Sequence, residues 1–201
     1  MNIFERQKRD FPDNNAVVGI DEAGRGPLAG PLVVAAVMLK NDVFHDKLND
    51  SKKLSQAVRE KLYDWILENS IEYTISIISV EDIDSLNILQ ATLLGMKKCV
   101  ESFSLKPDIA LFDGNKVPNI TNVKSIPIIK GDSIYACIAA ASIIAKVTRD
   151  RIMIQIDKEF PEYYFCEHKG YPTKKHIDNI NKYGVLPIHR KTFKPISLMF
   201  C

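Results

Sequence analysis

Short apolar runs alternate with amphipathic segments along the chain. Residues 17–21 and 32–39 are rich in Val, Ile and Ala, and they predict two strands on either side of a Gly/Pro turn. Residues 55–69 carry apolar side chains at helical spacing, so they predict an amphipathic helix that Ser55 caps. The same patterns predict further strands at 71–80, 109–112 and 123–129, and further helices at 81–102, 133–160 and 173–183.

This order of elements predicts an α/β fold with one mixed central β-sheet flanked by helices and a small helical C-terminal region. A length of 201 residues is typical of a single domain. We expect that domain over residues 1–195, with a basic helical and loop region at about 160–195. The end of the chain, residues 196–201, is predicted to be a separate short tail.

Composition excludes several classes of protein. Hydrophobic residues make up 46% of the chain and charged residues 26%, which is typical of a globular protein. The longest largely apolar stretches, 28–39 and 134–145, are far shorter than the ~20 residues of a membrane span, and the N-terminus is charged. The four cysteines show no CxxC spacing, so neither a zinc knuckle nor a disulfide framework is expected. We therefore expect a cytoplasmic protein without a membrane partner.

The net charge of +2 is unevenly distributed. Residues 146–201 contain 11 Lys and Arg against 6 Asp and Glu, whereas residues 1–145 contain 16 against 19. A basic C-terminal quarter beside an acidic remainder suits a phosphate backbone held near a carboxylate site. A charge bias of this size also describes an ordinary solvated face.

Candidate functional residues are most concentrated in the segment 19–31, GIDEAGRGPLAGP. Asp21 and Glu22 stand where a strand is predicted to end, directly before glycines that allow close backbone approach to an anion. A tight connection between two strands would use the same glycines for geometry alone. A dinucleotide-binding loop fits less well, because its glycines follow the strand directly and Pro27 stands where its helix would begin.

Two further acids, Asp113 and Asp132, also follow short apolar runs. Taken singly, Asp113 reads as a turn residue and Asp132 as the N-cap of the long helix. Together with Asp21 they predict three acids at one edge of a sheet, where ligands of open α/β sheets bind. Because clustered carboxylates repel, such a site needs cations, and oxygen ligands favour two Mg²⁺ or Mn²⁺ ions for phosphodiester hydrolysis. Glu22 joins the site only if the strand ends or twists there.

Basic and polar residues elsewhere provide candidate contacts to a nucleic acid. Tyr171 lies between lysines and suits stacking on a sugar or base, although a half-buried loop tyrosine is the commoner outcome. His168 and His176 do not have zinc-ligand spacing and read as polar surface or supporting residues. The remaining candidate substrate-binding residues are Lys52, Lys53, Ser142, Lys146 and Arg190.

Five blocks of the chain resemble ribonuclease HII, in the same order and over about residues 17–195. They are GIDEAGRGPLAGP at 19–31, DSKKLS at 50–55, KGDSIYACIAAASIIAKVTRDR at 130–151, HKGYPTKKH at 168–176 and HRKTF at 189–193. The resemblance implies a ribonuclease H-like fold and a metal-dependent endonuclease. Such an enzyme cleaves the RNA strand of RNA–DNA hybrids and incises 5′ of single ribonucleotides in duplex DNA, leaving a 3′-hydroxyl and a 5′-phosphate.

The resemblance also implies roles for residues of this chain. It puts Asp21, Glu22 and Asp113 on the metal ions, with Asp132 as a fourth catalytic acid. The backbone of Gly24, Arg25 and Gly26 would read the ribose 2′-hydroxyl, Tyr171 would stack on the adjacent deoxyribose, and Lys52 and Lys53 would hold phosphates.

Three alternatives remain open at the level of sequence. Another ribonuclease H-like nuclease, such as a junction resolvase, would share the acids without discriminating the sugar, and a catalytically silent module would only bind nucleic acid.

The tail at 196–201 faintly resembles the apolar peptides that dock on sliding clamps, but a tail packed on its own domain explains it as well. A monomer is expected.

Overall fold

The computed structural model describes residues 1–12, 16–49, 51 and 54–200. Its centre is a five-stranded mixed sheet in the order β3-β2-β1-β4-β5. The strands are β1 (Val17–Ala23), β2 (Leu32–Leu39), β3 (Ser70–Ile78), β4 (Ile109–Asp113) and β5 (Lys124–Ile128). β1 pairs antiparallel with β2 and parallel with β4, and β4 pairs parallel with β5. The predicted mixed α/β architecture is confirmed.

Helices cover both faces of the sheet. They are α1 (Ile3–Asp10), α2 (Gln56–Asn69), α3 (Val80–Leu86), α4 (Ile88–Glu101), α5 (Ala136–Glu159), α6 (Phe165–His168) and α7 (Lys174–Tyr183). Side chains of β1 and β2 alternate between the two faces, as the pleat requires. Ile20 and Val34 pack with α4 on one face, whereas Val33 and Ala35 pack with α2 and α5 on the other. Both central strands are therefore buried on two sides.

Helix α5 lies unusually close to β1 because Gly19 has no side chain. A Cβ at Gly19 would stand 2.2 Å from the carbonyl carbon of Cys137, so any larger residue would push the helix away. Alanines in the first turns of α5 continue this close contact with the sheet. As a result, α5 runs directly over the strand that carries Asp21.

Three local features differ from the sequence prediction. The predicted helix 81–102 is two helices, because Asn87 adopts φ 67° and its side chain caps the start of α4. The long helix starts at Ala136, after a short 3-10 turn at Gly131–Ser133. Helix α1 was not predicted, although Asn2 and Glu5 form the reciprocal capping box that is typical of a helix N-terminus.

The C-terminal region packs around a small apolar cluster of its own. Leu28 and Ala29 join Tyr163, Phe165 and Ile196 in this cluster. These two residues belong to the stretch 24–31, called the Gly-rich segment below. Backbone hydrogen bonds tie the two segments together, from the Leu28 N–H to the Gly170 carbonyl and from the Arg190 N–H to the Leu28 carbonyl. The Gly-rich segment is thus held between the sheet and the C-terminal region. None of the helices in the described ranges is both long and apolar enough to cross a membrane.

Candidate active site

Two acids stand side by side on neighbouring parallel strands. Asp113 is the last residue of β4, whereas β1 continues beyond Asp21 to Ala23, so the prediction that this strand ends at Asp21 is wrong. In the register of β1 and β4, Ile20 pairs with Phe112, and Asp21 and Asp113 are the next residues of each strand. Because Ile20 and Phe112 both face α4, Asp21 and Asp113 point toward the α5 face. The predicted convergence of these two acids at one sheet edge is therefore observed.

Asp21 is a buried carboxyl in an electrostatically unfavourable position for an anion. Burial raises the pKa of Asp21 well above its usual value, and the charges of Glu22 and Asp113 raise it further. Hydrogen bonds from the Ser142 hydroxyl and from the Glu22 N–H, the latter 2.7 Å long, act in the opposite direction. A bound cation would offset the unfavourable free energy of ionising Asp21.

Asp113 connects the strand edge to Asp132. The Gly131 N–H donates to Asp113 Oδ1 at 2.7 Å, which holds the 3-10 turn at Gly131–Ser133 against the end of β4. Asp132 is buried within this turn. It is not the N-cap of α5, because Tyr135 occupies that position, so the capping interpretation of Asp132 is wrong. The structure thus brings Asp132 to the edge that carries Asp21 and Asp113.

Glu22 is the last carboxylate of this edge. It lies one residue beyond Asp21 on β1, and its negative charge acts on the Asp21 carboxyl. Arg25 Nη1 lies 3.4 Å from Glu22 Oε1, which ties the Gly-rich segment to the acids. A small depression of about 40 Å³ separates Arg25 from Asp113. Both charged groups therefore border the same surface.

The chemistry of these donors fits hard divalent cations. All the candidate ligands are carboxylate oxygens, which Mg²⁺ and Mn²⁺ prefer, and buried Asp21 favours a positive neighbour. Within the described ranges, no three acidic, imidazole or thiol side chains converge into a ready-made ion-binding cluster. The carboxylates would therefore have to turn toward a bound ion.

Ser142 of α5 links the acids to the segment that carries Lys52 and Lys53. Its hydroxyl contacts Asp21 and also lies 2.9 Å from the hydroxyl of buried Ser51. Lys52 and Lys53 themselves lie outside the described residues. Ser51, the residue that precedes this lysine pair, is thus linked to Asp21 through Ser142.

Lys146 faces an internal partner. Its Nζ donates to Asp150 Oδ1 at 2.6 Å, one turn further along α5. Burial lowers the pKa of Lys146, and the Asp150 carboxylate partly opposes this effect. Arg59 lies 3.9 Å from the same carboxylate and donates to the Ser51 and Leu54 carbonyls. Sequence reasoning missed Arg59 and Asp150, which connect Lys146 to Ser51 and Leu54.

The Gly-rich segment contacts Tyr171. A Cβ at Gly26 would contact the Tyr171 ring at 3.7 Å, and 42% of the Tyr171 surface is exposed. Gly24 adopts φ 104°, and a Cβ there would also collide with the Arg149 side chain, so only glycine suits this position. The predicted sugar-reading segment and the predicted stacking ring therefore form one surface.

Arg190 occupies a different place from the one expected of a substrate-binding residue. It is completely buried, and its guanidinium donates to the carbonyls of Gly24, Arg25 and Gly30 at 2.6–3.1 Å. Burial lowers the pKa of Arg190 to about 9, so it stays charged at neutral pH. We therefore correct its assignment from direct contact with the substrate to support of the Gly-rich segment.

Arg149 provides a second buried support that sequence reasoning did not single out. Its guanidinium donates to the carbonyls of Ala29, Pro31 and Lys169, each at 3.0 Å. It joins the Gly-rich segment to the segment that carries Tyr171. No sequence pattern marks either role, because the acceptors are backbone carbonyls distant in sequence.

His168, His176 and His189 are also buried, which excludes a surface position for His168 and His176 and leaves the other interpretation, that they support neighbouring groups. A cavity of about 550 Å³ lies at the opposite end of the sheet, between α1 and the beginning of β1.

Known proteins match both the sequence and the fold. A family model described as Ribonuclease HII matches residues 18–196. A ribonuclease HII of Mycoplasma mycoides subsp. mycoides is 54% identical over 197 residues, covering 94% of this chain and 95% of that protein.

Solved structures agree with this assignment. The ribonuclease H2 of Pyrococcus horikoshii aligns with a TM-score of 0.74 at 26% identity, covering 91% of this chain and 96% of that one. A chain from the PCNA:RNase HII complex of Archaeoglobus fulgidus aligns with a TM-score of 0.72 at 30% identity, covering 89% and 95%. The chain therefore belongs to the ribonuclease HII family and is a ribonuclease H-type endoribonuclease.

Proposed function

We propose that the protein hydrolyses the RNA strand of RNA–DNA hybrids and incises duplex DNA on the 5′ side of a single embedded ribonucleotide. The observation that carries this proposal is the connection of the acids to Tyr171 through the Gly-rich segment. The buried Asp21 beside Asp113 offers a metal-binding edge, Arg25 ties the Gly-rich segment to the neighbouring Glu22, and a Cβ at Gly26 of that segment would contact the Tyr171 ring. A cleavage site and a sugar-reading surface are thus adjacent.

The four acids have two different roles, metal binding and orientation of water. Asp21, Glu22 and Asp113 would hold two Mg²⁺ or Mn²⁺ ions, as the resemblance to ribonuclease HII implies. When bound, such ions activate a water molecule and stabilise the leaving oxygen of in-line phosphodiester hydrolysis. Asp132, held beside Asp113 through the turn at Gly131, orients the attacking water. The resulting ends are a 3′-hydroxyl and a 5′-phosphate.

Discrimination of RNA from DNA falls to the Gly-rich segment. The backbone of Gly24, Arg25 and Gly26 hydrogen-bonds the ribose 2′-hydroxyl, the group that separates the two sugars. Glycine at 26 leaves the backbone open to this approach, and Tyr171 stacks on the neighbouring deoxyribose. Arg190 and Arg149 donate hydrogen bonds to carbonyls of this segment, and these bonds fix the orientation of its N–H groups.

The phosphate backbone is held by cations around this surface. Lys52 and Lys53 contact phosphates, and Ser142 fixes the start of their segment through Ser51. Lys146 reaches the same region but is engaged with Asp150, so its contact with substrate requires that pair to open.

The test is cleavage of a labelled DNA duplex that carries one ribonucleotide, with Mg²⁺, Mn²⁺ or EDTA, beside an all-DNA duplex. We expect a metal-dependent cut on the 5′ side of the ribonucleotide and no cut in the control. Cutting of both duplexes would favour another ribonuclease H-like nuclease that does not read the sugar. Binding without cutting would indicate a silent nucleic-acid-binding module.

We also propose a weak sliding-clamp contact through the tail, since the Archaeoglobus relative forms a complex with PCNA. Ile196 is buried in the C-terminal cluster, whereas Leu198 and Met199 are exposed and available to a partner. Deleting residues 197–201 should abolish capture by an immobilised clamp and leave cleavage of a short duplex unchanged. Equal capture of both forms, or no capture of the intact protein, would contradict the contact.

A further inference from the structure

Three of the four histidines form a buried chain beneath Tyr171. His176 and His189 have no exposed surface, and His168 is 8% exposed. The rings of His168 and His176 stack with centroids 4.4 Å apart, and those of His176 and His189 lie 5.3 Å apart. Such a group of polar rings needs a complete set of hydrogen bonds in order to be stable in an interior.

The hydrogen bonds define one tautomer for His189 and one for His176. The Leu186 N–H donates to His189 Nδ1 at 2.8 Å, so the proton of neutral His189 lies on Nε2. His176 Nδ1 lies 2.9 Å from the Tyr171 carbonyl and must donate to it, which leaves His176 Nε2 as an acceptor. The two Nε2 atoms are 3.1 Å apart, so His189 donates to His176. Every ring nitrogen of this pair is satisfied in the neutral state.

His168 completes the arrangement on the other side of Tyr171. The Gly170 N–H lies 3.2 Å from His168 Nδ1, and His168 Nε2 donates to the Tyr163 carbonyl at 2.8 Å. The Gly170 carbonyl in turn accepts the Leu28 N–H of the Gly-rich segment at 2.8 Å. The histidines therefore hold both backbone groups that set where Tyr171 stands relative to Gly26.

We propose that His176, oriented by His189, is a positioning residue that fixes Tyr171 against the Gly-rich segment for contact with the sugar beside the scissile phosphate. The inference rests on the proposed function, because it concerns how that surface recognises its substrate. His176 does not touch the substrate. It acts through the Tyr171 carbonyl, while the Tyr171 ring remains exposed on the other side.

The same geometry makes the positioning sensitive to acid. A second proton on His176 would place an N–H opposite the N–H of His189 and break their hydrogen bond. Burial lowers the pKa of His176 and of His189 to about 4 each, and it also lowers the pKa of His168. Among the described residues, the charged and titratable groups facing the cluster are Glu167 and Lys175 on α6 and α7, Asp157 on α5, and the ring of Tyr163, which itself contacts Tyr183.

The test uses the ratio of cleavage rates at a single embedded ribonucleotide and in a continuous hybrid. Tyr171→Ala should lower this ratio about tenfold, in the range expected for loss of one stacking contact. His176→Phe keeps a ring but removes both hydrogen bonds, and it should lower the ratio at least threefold. His176→Asn, whose amide can donate to the Tyr171 carbonyl, should restore most of it. His45→Phe, a histidine outside the cluster, is the matched control and should leave the ratio unchanged.

The decisive variant combines Tyr171→Ala with His176→Phe. If His176 acts through Tyr171, the double variant should have the ratio of Tyr171→Ala alone, because the two effects share one contact. Independent effects that multiply, or equal losses on both substrates, would overturn the inference while the proposed function stands. An intact protein that never cuts at a single ribonucleotide would overturn both.

A measurement on the intact protein keeps the inference testable where a variant fails to fold. Nitrogen-15 chemical shifts of the imidazoles report which ring nitrogen carries the proton. We expect a neutral His176 protonated on Nδ1 at pH 7, with His168 and His189 protonated on Nε2. A His176 protonated on Nε2 at that pH would exclude the bond to Tyr171 and overturn the inference.

Discussion

Asp21→Asn should reduce metal-dependent cleavage by more than about 100-fold, since removal of groups that merely orient a metal ligand already costs 10- to 100-fold. Asp113→Asn should do the same, because both carboxylates directly follow the last residue pair, Ile20 and Phe112, between β1 and β4. Binding of an RNA–DNA hybrid should persist in both variants, since loss of negative charge does not weaken contacts to phosphate. Cleavage assays and hybrid-binding titrations at one fixed salt concentration check the two parts separately.

The same substitution should leave the fold intact or stabilise it. Burial and the charges of Glu22 and Asp113 disfavour the ionised form of Asp21, and that repulsion is lost in Asp21→Asn. We therefore expect the melting temperature in EDTA to be equal to or higher than that of the unmodified protein. Asp64→Asn, an exposed acid on α2, is the matched control and should change neither activity nor stability. Joint loss of binding and melting temperature would indicate misfolding and contradict the assigned role.

Arg190→Lys should destabilise the protein by about 3 kcal/mol or more, because hydrogen bonds to a charged donor contribute about 1.5–3 kcal/mol each. The Arg190 guanidinium reaches the carbonyls of Gly24, Arg25 and Gly30 at once, and a single ammonium cannot reproduce that fork. For a domain of this size the melting temperature should fall by roughly 6–12 °C. Cleavage should also decline, because the Gly-rich segment loses the support that directs its N–H groups.

Arg151→Lys is the matched control for this change. Arg151 lies on α5, its side chain is 46% exposed, and it forms an ion pair with Glu60 on α2. Exposed pairs of this kind contribute about 0–1 kcal/mol, so the melting temperature should change little. If Arg190→Lys kept the stability of the unmodified protein and selectively lost affinity for nucleic acid, the result would favour the direct contact with substrate that the sequence predicted for Arg190.

Acid should weaken the folded state through the buried histidines. His176 and His189 titrate with a pKa of about 4 when folded and 6.5 as free side chains. The unfolded chain therefore binds more protons between these values, and stability falls as the pH falls from about 6.5 to about 4. This dependence accompanies the positioning role of His176 and follows from the same burial.

The local elements could be predicted from the sequence with small errors. Leu32–Leu39 is a strand with its expected bounds, and the helix at Gln56–Asn69 has Ser55 as its cap. Such elements depend on hydrophobic period and capping, which are properties of neighbouring residues. The break at Asn87 was missed because helical spacing continues across it, and only the backbone conformation of that residue separates the two helices.

By itself, the sequence determined the fold class and the family, and it predicted the candidate acids, because each is carried by contiguous motifs or short apolar runs. Only the tertiary structure decided that Arg190 lies beneath the Gly-rich segment and that three histidines form one buried chain. Their partners are backbone carbonyls and rings far away along the chain. A backbone carbonyl has the same chemistry in every residue, so no pattern of side chains reveals which of them a buried donor will reach.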